Sequence, residues 1–514
     1  MTVLFANVPF VKPDGEGGLC TGPNAGSRWP FTLKGLIDYG PFPFFMGYAV
    51  SYLRLHGIDA RFFDAVVDKV WDLTLVQERI TAEKPEVLFL ETSTPLWPDI
   101  RTMGRWAKET LGCRVVLVGP HIQAFGEAIL KEESWVDHCV IGEYEKPALD
   151  IVQRGAASPR LHRYDHLDDI DMVAGENFLP YRPMDSLYGY WDPSMNTPRI
   201  QLTVSTSRGC PFKCTYCQWP KVMNDGRYRN RRPELVLDEI AQTRAAFDAH
   251  LAAVKAELGA DLATMAEMPD RILNQAGKFM ADGDLTEAMR SYSNRWKLVN
   301  LLNTDPISSV FFDDDTWNLG RRRVQALCAG LKDMGLPWTM MGRIDTLPVP
   351  TYDLLMDSGC VGLRFGVESF NQRLVDNTKK NLNTELAKAN LTALVERYEN
   401  TEFHLTMMKN LPGSTETDWQ DDEAVLMDLH QKAAKRGNKL HWQVSDCIAF
   451  PGTELWEEMV ARGKAADLQD FTLYDGAPRN NDKLANLVGW LGEDYRPSWS
   501  DYSKMGAPTN LPTS

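Results

Sequence analysis

Ser207-Arg-Gly-Cys-Pro-Phe-Lys-Cys-Thr-Tyr-Cys-Gln218 is the stretch from which the fold of this chain can be predicted. It places Cys210, Cys214 and Cys217 on one short loop with the spacing C-x3-C-x2-C. Residues 200–206, just before the loop, are typical of a β-strand, and a helical pattern follows it. We therefore expect the loop at the C-terminal end of a strand, where ligand sites of α/β folds collect.

Three cysteines this close together suit a [4Fe–4S] cluster that keeps one iron open for another ligand. A closed structural zinc site is the alternative, and it needs four ligands. The nearest further candidates are His166 and His250, and neither has the spacing of a zinc finger. The sequence thus favours the cluster over zinc.

The loop resembles the signature of the radical S-adenosylmethionine (SAM) enzymes, including the aromatic Tyr216 before the third cysteine. In that family the open iron chelates the amino and carboxylate groups of SAM. An electron from the cluster then cleaves SAM to a 5′-deoxyadenosyl radical. The resemblance implies a [4Fe–4S] cluster and SAM as cofactors.

The composition is that of a soluble globular protein with 514 residues, enough for two or three domains. A net charge of −15 argues against general binding of nucleic acid. The N-terminus has no basic signal region, and no apolar run reaches the length of a membrane span. The other cysteines are scattered, which indicates a reducing compartment: Cys20, Cys113, Cys139, Cys328, Cys360 and Cys447. We expect a cytoplasmic protein without a membrane or nucleic-acid partner.

Residues 1–150 alternate short apolar strands with helical segments, which predicts a doubly wound, Rossmann-like parallel sheet. The predicted strands are Val3–Val8, Ala60–Phe63, Val87–Glu91, Arg114–Val118 and His138–Ile141. The predicted helices are Phe45–Leu55, Leu73–Ala82, Pro98–Thr110 and Gln123–Leu130. Such a sheet binds its ligand at the carboxyl ends of its strands.

Three strand ends in this region resemble the cobalamin-binding domain that precedes the barrel in one branch of radical SAM enzymes. A single glycine replaces that branch's double glycine before His121. The resemblance implies cobalamin contacts from Thr92, Ser93, Thr94, Gly119, Pro120, His121, Gly142, Glu143 and Glu145. A doubly wound domain without a cofactor is the alternative.

The D-x-H-x-x-G motif, which supplies a histidine ligand to cobalt in other cobalamin proteins, is absent. Asp428-Leu-His430 begins like it, but lies in a helical run and ends in Ala433. We therefore expect cobalamin without a protein histidine on its lower face. His121 is expected to line the pocket, with coordination of the cobalt as the alternative.

A second alternation over residues 200–455 predicts a partial (β/α)6 barrel of the radical SAM type. Its predicted strands are Leu202–Thr206, Ser309–Phe312, Trp338–Gly342, Val361–Val367, Phe403–Met408 and His441–Ala449. Residues 151–199 are interpreted as a linker, 241–303 as a helical insertion and 456–514 as a C-terminal extension. The insertion is expected to pack over the barrel, with dimerisation as the alternative.

The ends of these strands carry the polar groups that SAM requires. SAM carries an ammonium, a carboxylate and a ribose diol. Its site therefore needs protein carboxylates, a guanidinium and hydroxyls near one cluster. By resemblance, the SAM contacts are Tyr216, Asp313, Asp314, Arg343, Glu368 and Ser369. For Asp313 and Asp314, a role as helix N-cap is the alternative.

A basic stretch, Arg227–Arg232, stands out in this acidic chain. It could bind a substrate phosphate or carboxylate, or the acidic surface of an electron donor such as flavodoxin or ferredoxin. A solvated loop before the helix that starts at Pro233 is the alternative.

The leading hypothesis is a cobalamin-dependent radical SAM methyltransferase. It would transfer a methyl group from SAM, by way of methylcobalamin, to an unactivated carbon or a phosphorus of a small-molecule or peptide substrate. The first alternative is a cyclase or rearrangement enzyme of the same superfamily without net methylation. The others are a methylthiotransferase, which needs three further clustered cysteines, and a cluster-bearing regulatory protein.

Overall fold

We describe the fold from a computed structural model of the chain. The described residues are 1–13, 18–22, 24, 33–35, 37, 40–171, 180–192, 195, 197–258, 301 and 304–497. Most of the predicted insertion at 241–303 and the end of the predicted extension, beyond residue 497, lie outside these residues. We call residues 1–171 the N-terminal half and residues 197–497 the C-terminal half.

The N-terminal half is built on a parallel sheet of six strands. These are β1 (Thr2–Asn7), β5 (Asp59–Asp64), β6 (Val87–Glu91), β7 (Arg114–Val118), β8 (His138–Ile141) and β9 (Leu161–Arg163). The order across the sheet is β5-β1-β6-β7-β8-β9, and every neighbouring pair is parallel. The chain reverses its direction of winding between β1 and β6, and such a switch point is where doubly wound sheets bind ligands.

Helices cover both faces of this sheet because its strands are apolar on both faces. Leu4 and Ala6 of β1 pack with one helix layer, whereas Val3 and Phe5 pack with the other. This alternation follows from the two-residue period of a strand. The first layer contains α2 (Leu73–Glu83), α3 (Trp97–Trp106) and α4 (Pro120–Glu132). The second contains α1 (Phe44–Leu55) and α5 (Glu145–Arg154).

Three features of this half were not predicted. Strand β9 adds a sixth position to the sheet, and α5 begins directly at Glu145. A small antiparallel sheet also branches off after β1. Its strands are β2 (Phe10–Pro13), β3 (Leu19–Gly22) and β4 (Leu33–Lys34).

The C-terminal half is built on a second parallel sheet of six strands. These are β10 (Gln201–Val204), β13 (Ser309–Phe312), β14 (Trp338–Gly342), β15 (Cys360–Glu368), β16 (Glu402–Lys409) and β17 (Lys439–Asp446). They lie side by side in chain order, and all neighbouring pairs are parallel. Among the described residues, strands β10 and β17 are the two edges of this sheet, and its closure into a partial barrel stays a prediction. The α/β fold class is thus confirmed.

Helices connect successive strands of this sheet and bury its apolar face. They are α7 (Pro233–Leu258), α8 (Arg321–Met334), α9 (Tyr352–Asp357), α10 (Gln372–Asn377), α11 (Thr384–Arg397) and α12 (Glu416–Lys435). A two-stranded ribbon of β11 (Ser207–Arg208) and β12 (Arg229–Asn230) flanks α6 (Gln218–Asn224) and follows β10 directly.

The chain after β17 returns to the N-terminal half. Helices α13 (Glu454–Met459), α14 (Ala465–Leu468) and α15 (Pro478–Gly489) follow. Between α14 and α15, a 3-10 turn at Phe471–Tyr474 packs beside His121. No helix among the described residues is both long enough and apolar enough to cross a lipid bilayer.

Candidate active site

The cysteine loop follows β10 and contains Gly209, whose backbone conformation would be strained in any other residue. Gly209 has a φ of +77°, and a Cβ built on it would lie 2.0 Å from the carbonyl oxygen of Arg227. Because Arg227 precedes β12, this close approach is part of the β11–β12 ribbon. The glycine of the S-R-G-C sequence therefore lets the chain turn toward the cysteines.

Burial makes the cysteine thiolates costly unless a positive charge is nearby. Cys210 is buried, with its Sγ 3.4 Å from Thr316 Oγ1. Burial raises the pKa of the Cys210 thiol to about 12. Burial and the neighbouring Cys214 raise the pKa of Cys217 well above its usual value. The irons of a cluster would supply the missing positive charge, so these residues fit a [4Fe–4S] group.

Within the described parts of the chain, no group of three or more His, Cys, Asp or Glu side chains converges on one metal position. A [4Fe–4S] cluster on Cys210, Cys214 and Cys217 stays a prediction.

Arg343, which directly follows β14, contacts the cysteine loop through the ring of Phe212. Its Nε and Nη2 donate to the two oxygens of Asp345, at 3.0 and 2.8 Å, and Nη1 donates to the Lys380 carbonyl at 3.0 Å. The face of the guanidinium lies 3.7 Å from the ring centroid of Phe212, which stands between the first two cysteines. The predicted contact between Arg343 and SAM stays a prediction, because these donors already have partners.

The three aspartates after β13 have different surroundings. Asp314 is fully buried and accepts from the Thr206 backbone N–H at 3.1 Å, from Thr206 Oγ1 at 3.0 Å and from Ser207 Oγ. It therefore ties the ends of β10 and β13 together. Asp313 and Asp315 line a cleft. Asp315 was not among the predicted SAM residues, although the alternation of side chains along an extended chain would have indicated it.

Two of the three remaining predicted SAM residues lie near the cysteines. Burial, with the neighbouring Cys214 and Glu368, raises the pKa of Tyr216 well above its usual value. Glu368 has a φ of +68° and accepts from Lys380 Nζ at 2.9 Å. Ser369 is buried and hydrogen-bonds instead with the backbone N–H of Asn371, at 3.0 Å.

The predicted cobalamin turns lie together at the ends of β6 and β7. The Thr92 N–H donates to Val118 at 2.8 Å. Gly119, which comes just before Pro120 and α4, has a φ of +103°; a Cβ there would lie 2.9 Å from the backbone N and O of Thr92. The two turns therefore approach one another as closely as their backbones allow.

Two buried polar atoms at these turns have no hydrogen-bond partner within the described residues, Ser93 Oγ and His121 Nε2. His121 Nδ1 lies 3.4 Å from Thr94 Oγ1, and its ring stacks on Trp97 at 5.2 Å. Burial lowers the pKa of His121 to about 3, so the ring is neutral. Unsatisfied polar atoms beside a switch point fit a cofactor with a polar rim, such as cobalamin.

Gly142, Glu143 and Glu145, also predicted cobalamin residues, follow β8. Gly142 has a φ of +100°, as a tight turn requires. Both glutamates are buried and face Arg208 of the cysteine loop, at 3.1 and 2.6 Å. Their contact with cobalamin stays a prediction, because the described partners of these carboxylates are arginines, Arg208 for both and Arg229 for Glu143.

The basic stretch at 227–232 is partly internal. Arg229 pairs with Glu143, and Arg231 pairs with Glu239 at 2.5 Å, with all four side chains buried. Arg227 and Arg232 are exposed. A solvent-facing role in binding a substrate or an electron donor is thus open only to these last two.

A cleft lined by residues of both halves lies between them. Its N-terminal wall includes Phe42, Phe44, Phe45, Met46 and Glu91. Its C-terminal wall includes Ser205, Ser207, Arg208, Gly209, Trp219, Asp313 and Asp315. Burial raises the pKa of Glu91 to about 7, and Tyr144 Oη donates to its carboxylate at 2.6 Å. Of the predicted site residues, Asp313 lines this cleft; Gly209 and Glu91 line it too, and they come just before Cys210 and Thr92 in the sequence.

No protein-family model matches the chain. It is 22% identical over 448 residues to an uncharacterized methyltransferase of Pyrococcus horikoshii, which covers 82% of this chain and 79% of that protein. It is 26% identical over 250 residues to the anaerobic magnesium-protoporphyrin IX monomethyl ester cyclase of Rubrivivax gelatinosus. That alignment covers 45% of this chain and only 42% of the cyclase.

Two solved structures are similar over most of the chain. The radical SAM methyltransferase TsrM from Kitasatospora setae, with tryptophan and a SAM analogue bound, superposes with a TM-score of 0.58 and 14% identity. The superposition covers 90% of this chain and 76% of the TsrM chain. The cobalamin-dependent radical SAM enzyme OxsB, with aqua-cobalamin and SAM bound, gives a TM-score of 0.54 and 12% identity. It covers 95% of this chain and 66% of that chain, so both sheets take part in the match.

Proposed function

We propose that this chain, whose fold is that of the cobalamin-dependent radical SAM enzymes, is a methyltransferase of that kind. Its substrate would be a small molecule or a peptide, methylated on an unactivated carbon or on phosphorus. When bound, the cluster supplies the electron that cleaves SAM, and cobalamin supplies the methyl group.

The single observation that carries the proposal is one cleft lined by both halves. The cysteine loop borders it through Ser207, Arg208 and Gly209, and β6 borders it through Glu91, the residue before the first predicted cobalamin turn. Groups held at these two places would face each other across the cleft. A substrate between them would be within reach of both, which is what two-cofactor chemistry on one carbon requires.

The chain's own residues would bind and shield the reactants. Asp313 and Asp315 would hold the ammonium group of SAM, because their carboxylates line the cleft next to the cysteine loop. Phe44 and Phe45 on the N-terminal wall and Trp219 on the C-terminal wall give the cleft an aromatic surface that would exclude water from a reactive intermediate.

Anaerobic reconstitution with iron, sulfide and hydroxocobalamin tests the proposal. Ultraviolet–visible and EPR spectra should show both cofactors, and SAM with a strong reductant should yield 5′-deoxyadenosine. Cys214→Ala should abolish that yield. Cys328→Ala, which removes a buried thiol from α8, should leave it unchanged. Full activity of Cys214→Ala would rule out the assigned cluster.

A cyclase without net methylation is the second candidate, favoured by the 26% identity to the magnesium-protoporphyrin ester cyclase. The two are distinguished with SAM that carries a deuterated methyl group. After incubation with extracts of small molecules, a methyltransferase gives a product with the label. A cyclase gives only 5′-deoxyadenosine and a product without it.

A further inference from the structure

Four buried side chains cross the boundary between the two halves. Glu143 and Glu145 follow β8 of the first sheet, whereas Arg208 and Arg229 belong to the β11–β12 ribbon. Arg208 Nη1 lies 3.1 Å from Glu143, and its Nη2 donates to Glu145 at 2.6 Å. Arg229 Nη1 donates to the same Glu143 oxygen, Oε2, at 3.2 Å, and its Nη2 donates to Oε1. We call these four residues the interhalf clamp.

The clamp is closed to solvent, and its charges balance. The exposed fractions of its side chains are 6% for Arg208, 9% for Arg229, 1% for Glu143 and 0% for Glu145. Two guanidinium groups face two carboxylates. Buried ions of this kind hold their partners tightly, because a charge that loses its partner in the interior is costly.

The side chain of Arg208 is surrounded by the N-terminal half, although its backbone belongs to the C-terminal half. Besides the two glutamates, the ring of Tyr48 lies 4.7 Å from the guanidinium carbon, and that of Phe45 lies 5.5 Å away. Both rings are on α1. The glutamates hold the edge of the planar guanidinium in place, and the two aromatic rings against its face fix its orientation.

We propose that Arg208 is the positioning residue that fixes the cysteine loop, and with it the cluster, against the N-terminal half. The inference rests on the proposed function, which places one cofactor on each side of the clamp. Arg208 is two residues before Cys210, and Gly209 between them is held by its approach to Arg227. A shift of β8 relative to the second sheet would therefore move the cysteines as well. The clamp sets the distance and orientation between the two cofactors.

Glu145→Gln tests the clamp with little change in shape. Its matched control is Glu133→Gln, another buried glutamate, paired with Arg101 at 2.5 Å and Arg105 at 2.8 Å entirely within the N-terminal half. Both variants lose one buried carboxylate, but only Glu145→Gln opens a contact between the halves. The full-length chain is reconstituted with the cluster and cob(II)alamin, and Arg208→Lys is measured alongside.

Two readouts separate positioning from simple stability. Pulsed EPR measures the dipolar coupling between cob(II)alamin and the reduced cluster. Hydrogen exchange, measured with and without cofactors, follows the backbone amides of residues 207–217. In Glu145→Gln we expect a broadened distribution of couplings and about tenfold faster exchange of these amides, with or without bound cofactors. Arg208→Lys should change both readouts in the same direction by a smaller amount, and Glu133→Gln should change neither.

Unchanged coupling and exchange in Glu145→Gln would overturn the proposal. Loss of cobalamin with unchanged exchange would overturn it too, because Glu145 would then be a cobalamin contact. If the wild-type protein bound no cobalamin or no cluster, the proposed function would be wrong, and the positioning role, which rests on it, would be wrong too. The exchange readout would still show whether the contact holds the loop.

Discussion

The guanidinium of Arg343 lies 3.7 Å from the ring centroid of Phe212, inside the loop that carries the three cysteines. A cation–π contact that is shielded from water is worth about 2 kcal/mol. Phe212→Leu should therefore loosen the loop, and a chelator should remove iron from the reconstituted cluster about tenfold faster. The decay of the cluster absorbance in the presence of the chelator measures this rate.

Trp419→Leu is the control for this prediction. It removes a contact with Lys409 at 4.5 Å, which is also a cation–π contact but lies outside the cysteine loop. Equal rates of iron loss in the two variants would mean that the Arg343 contact does not support the cluster.

Asp313 and Asp314 are neighbours with different expected roles. Asp314→Asn replaces an acceptor oxygen by an amide donor that faces the donors of Thr206 and Ser207. It should lower the free energy of unfolding by about 2 kcal/mol. Asp313→Asn should weaken SAM binding with a smaller effect on stability, because Asp313 lines the cleft. Urea unfolding and calorimetric titration with SAM check both; the reverse pattern would exchange the two assignments.

Glu91 gives a pH dependence whose sign can be worked out. Burial raises its pKa from 4.5 to about 7, so the folded state holds the proton more tightly than the unfolded chain. The stability from this group is complete below pH 4.5 and is lost as the pH rises to about 7. The loss is about 3 kcal/mol. Glu91→Gln keeps an acceptor for Tyr144 but does not ionise. Urea unfolding should show that its stability relative to wild type rises by this amount from pH 4.5 to pH 8; a fall would show a stabilised carboxylate.

Gly119 combines an unusual backbone conformation with a close contact. Gly119→Ala meets both the cost of φ at +103° and a Cβ at 2.9 Å from Thr92. Gly112→Ala meets only the first, because φ is +67° and no atom lies within 4 Å. Thermal unfolding should show a cost of about 1 kcal/mol for Gly112→Ala and at least twice that for Gly119→Ala. Only Gly119→Ala should lose cobalamin; equal losses would mean that the turn has no role in binding.

Much of the fold can be predicted from the sequence because its strands are short apolar runs between helices. Ser309–Phe312 and Trp338–Gly342 begin and end where the pattern predicts. Strand β9 was missed because Leu-His-Arg at 161–163 has no apolar pattern; pairing with β8 creates it. The antiparallel sheet after β1 was missed for a similar reason, since its segments are rich in glycine and proline.

The site could be predicted less completely than the fold. The positions of Cys210, Gly119 and Asp313 follow from local sequence. The partners of Glu143 and Glu145 do not, because Arg208 comes from the other half of the chain. From the sequence, Asp314 was predicted to contact SAM. The hydrogen bonds that its carboxylate accepts from Thr206 could not be seen there. A local sequence pattern therefore does not predict which charged residues pair when they lie far apart in the chain.

The return of the chain to the N-terminal half has a consequence for biosynthesis. Phe471 lies 5.0 Å from His121 and 4.8 Å from Phe125, ring centroid to ring centroid, and Asp475 pairs with Lys12. On the ribosome, the first sheet emerges long before these late residues are made. The aromatic side chains of α4 therefore remain without this cover until residue 471 has been made, and a nascent chain stalled before that point would expose an apolar patch to chaperones.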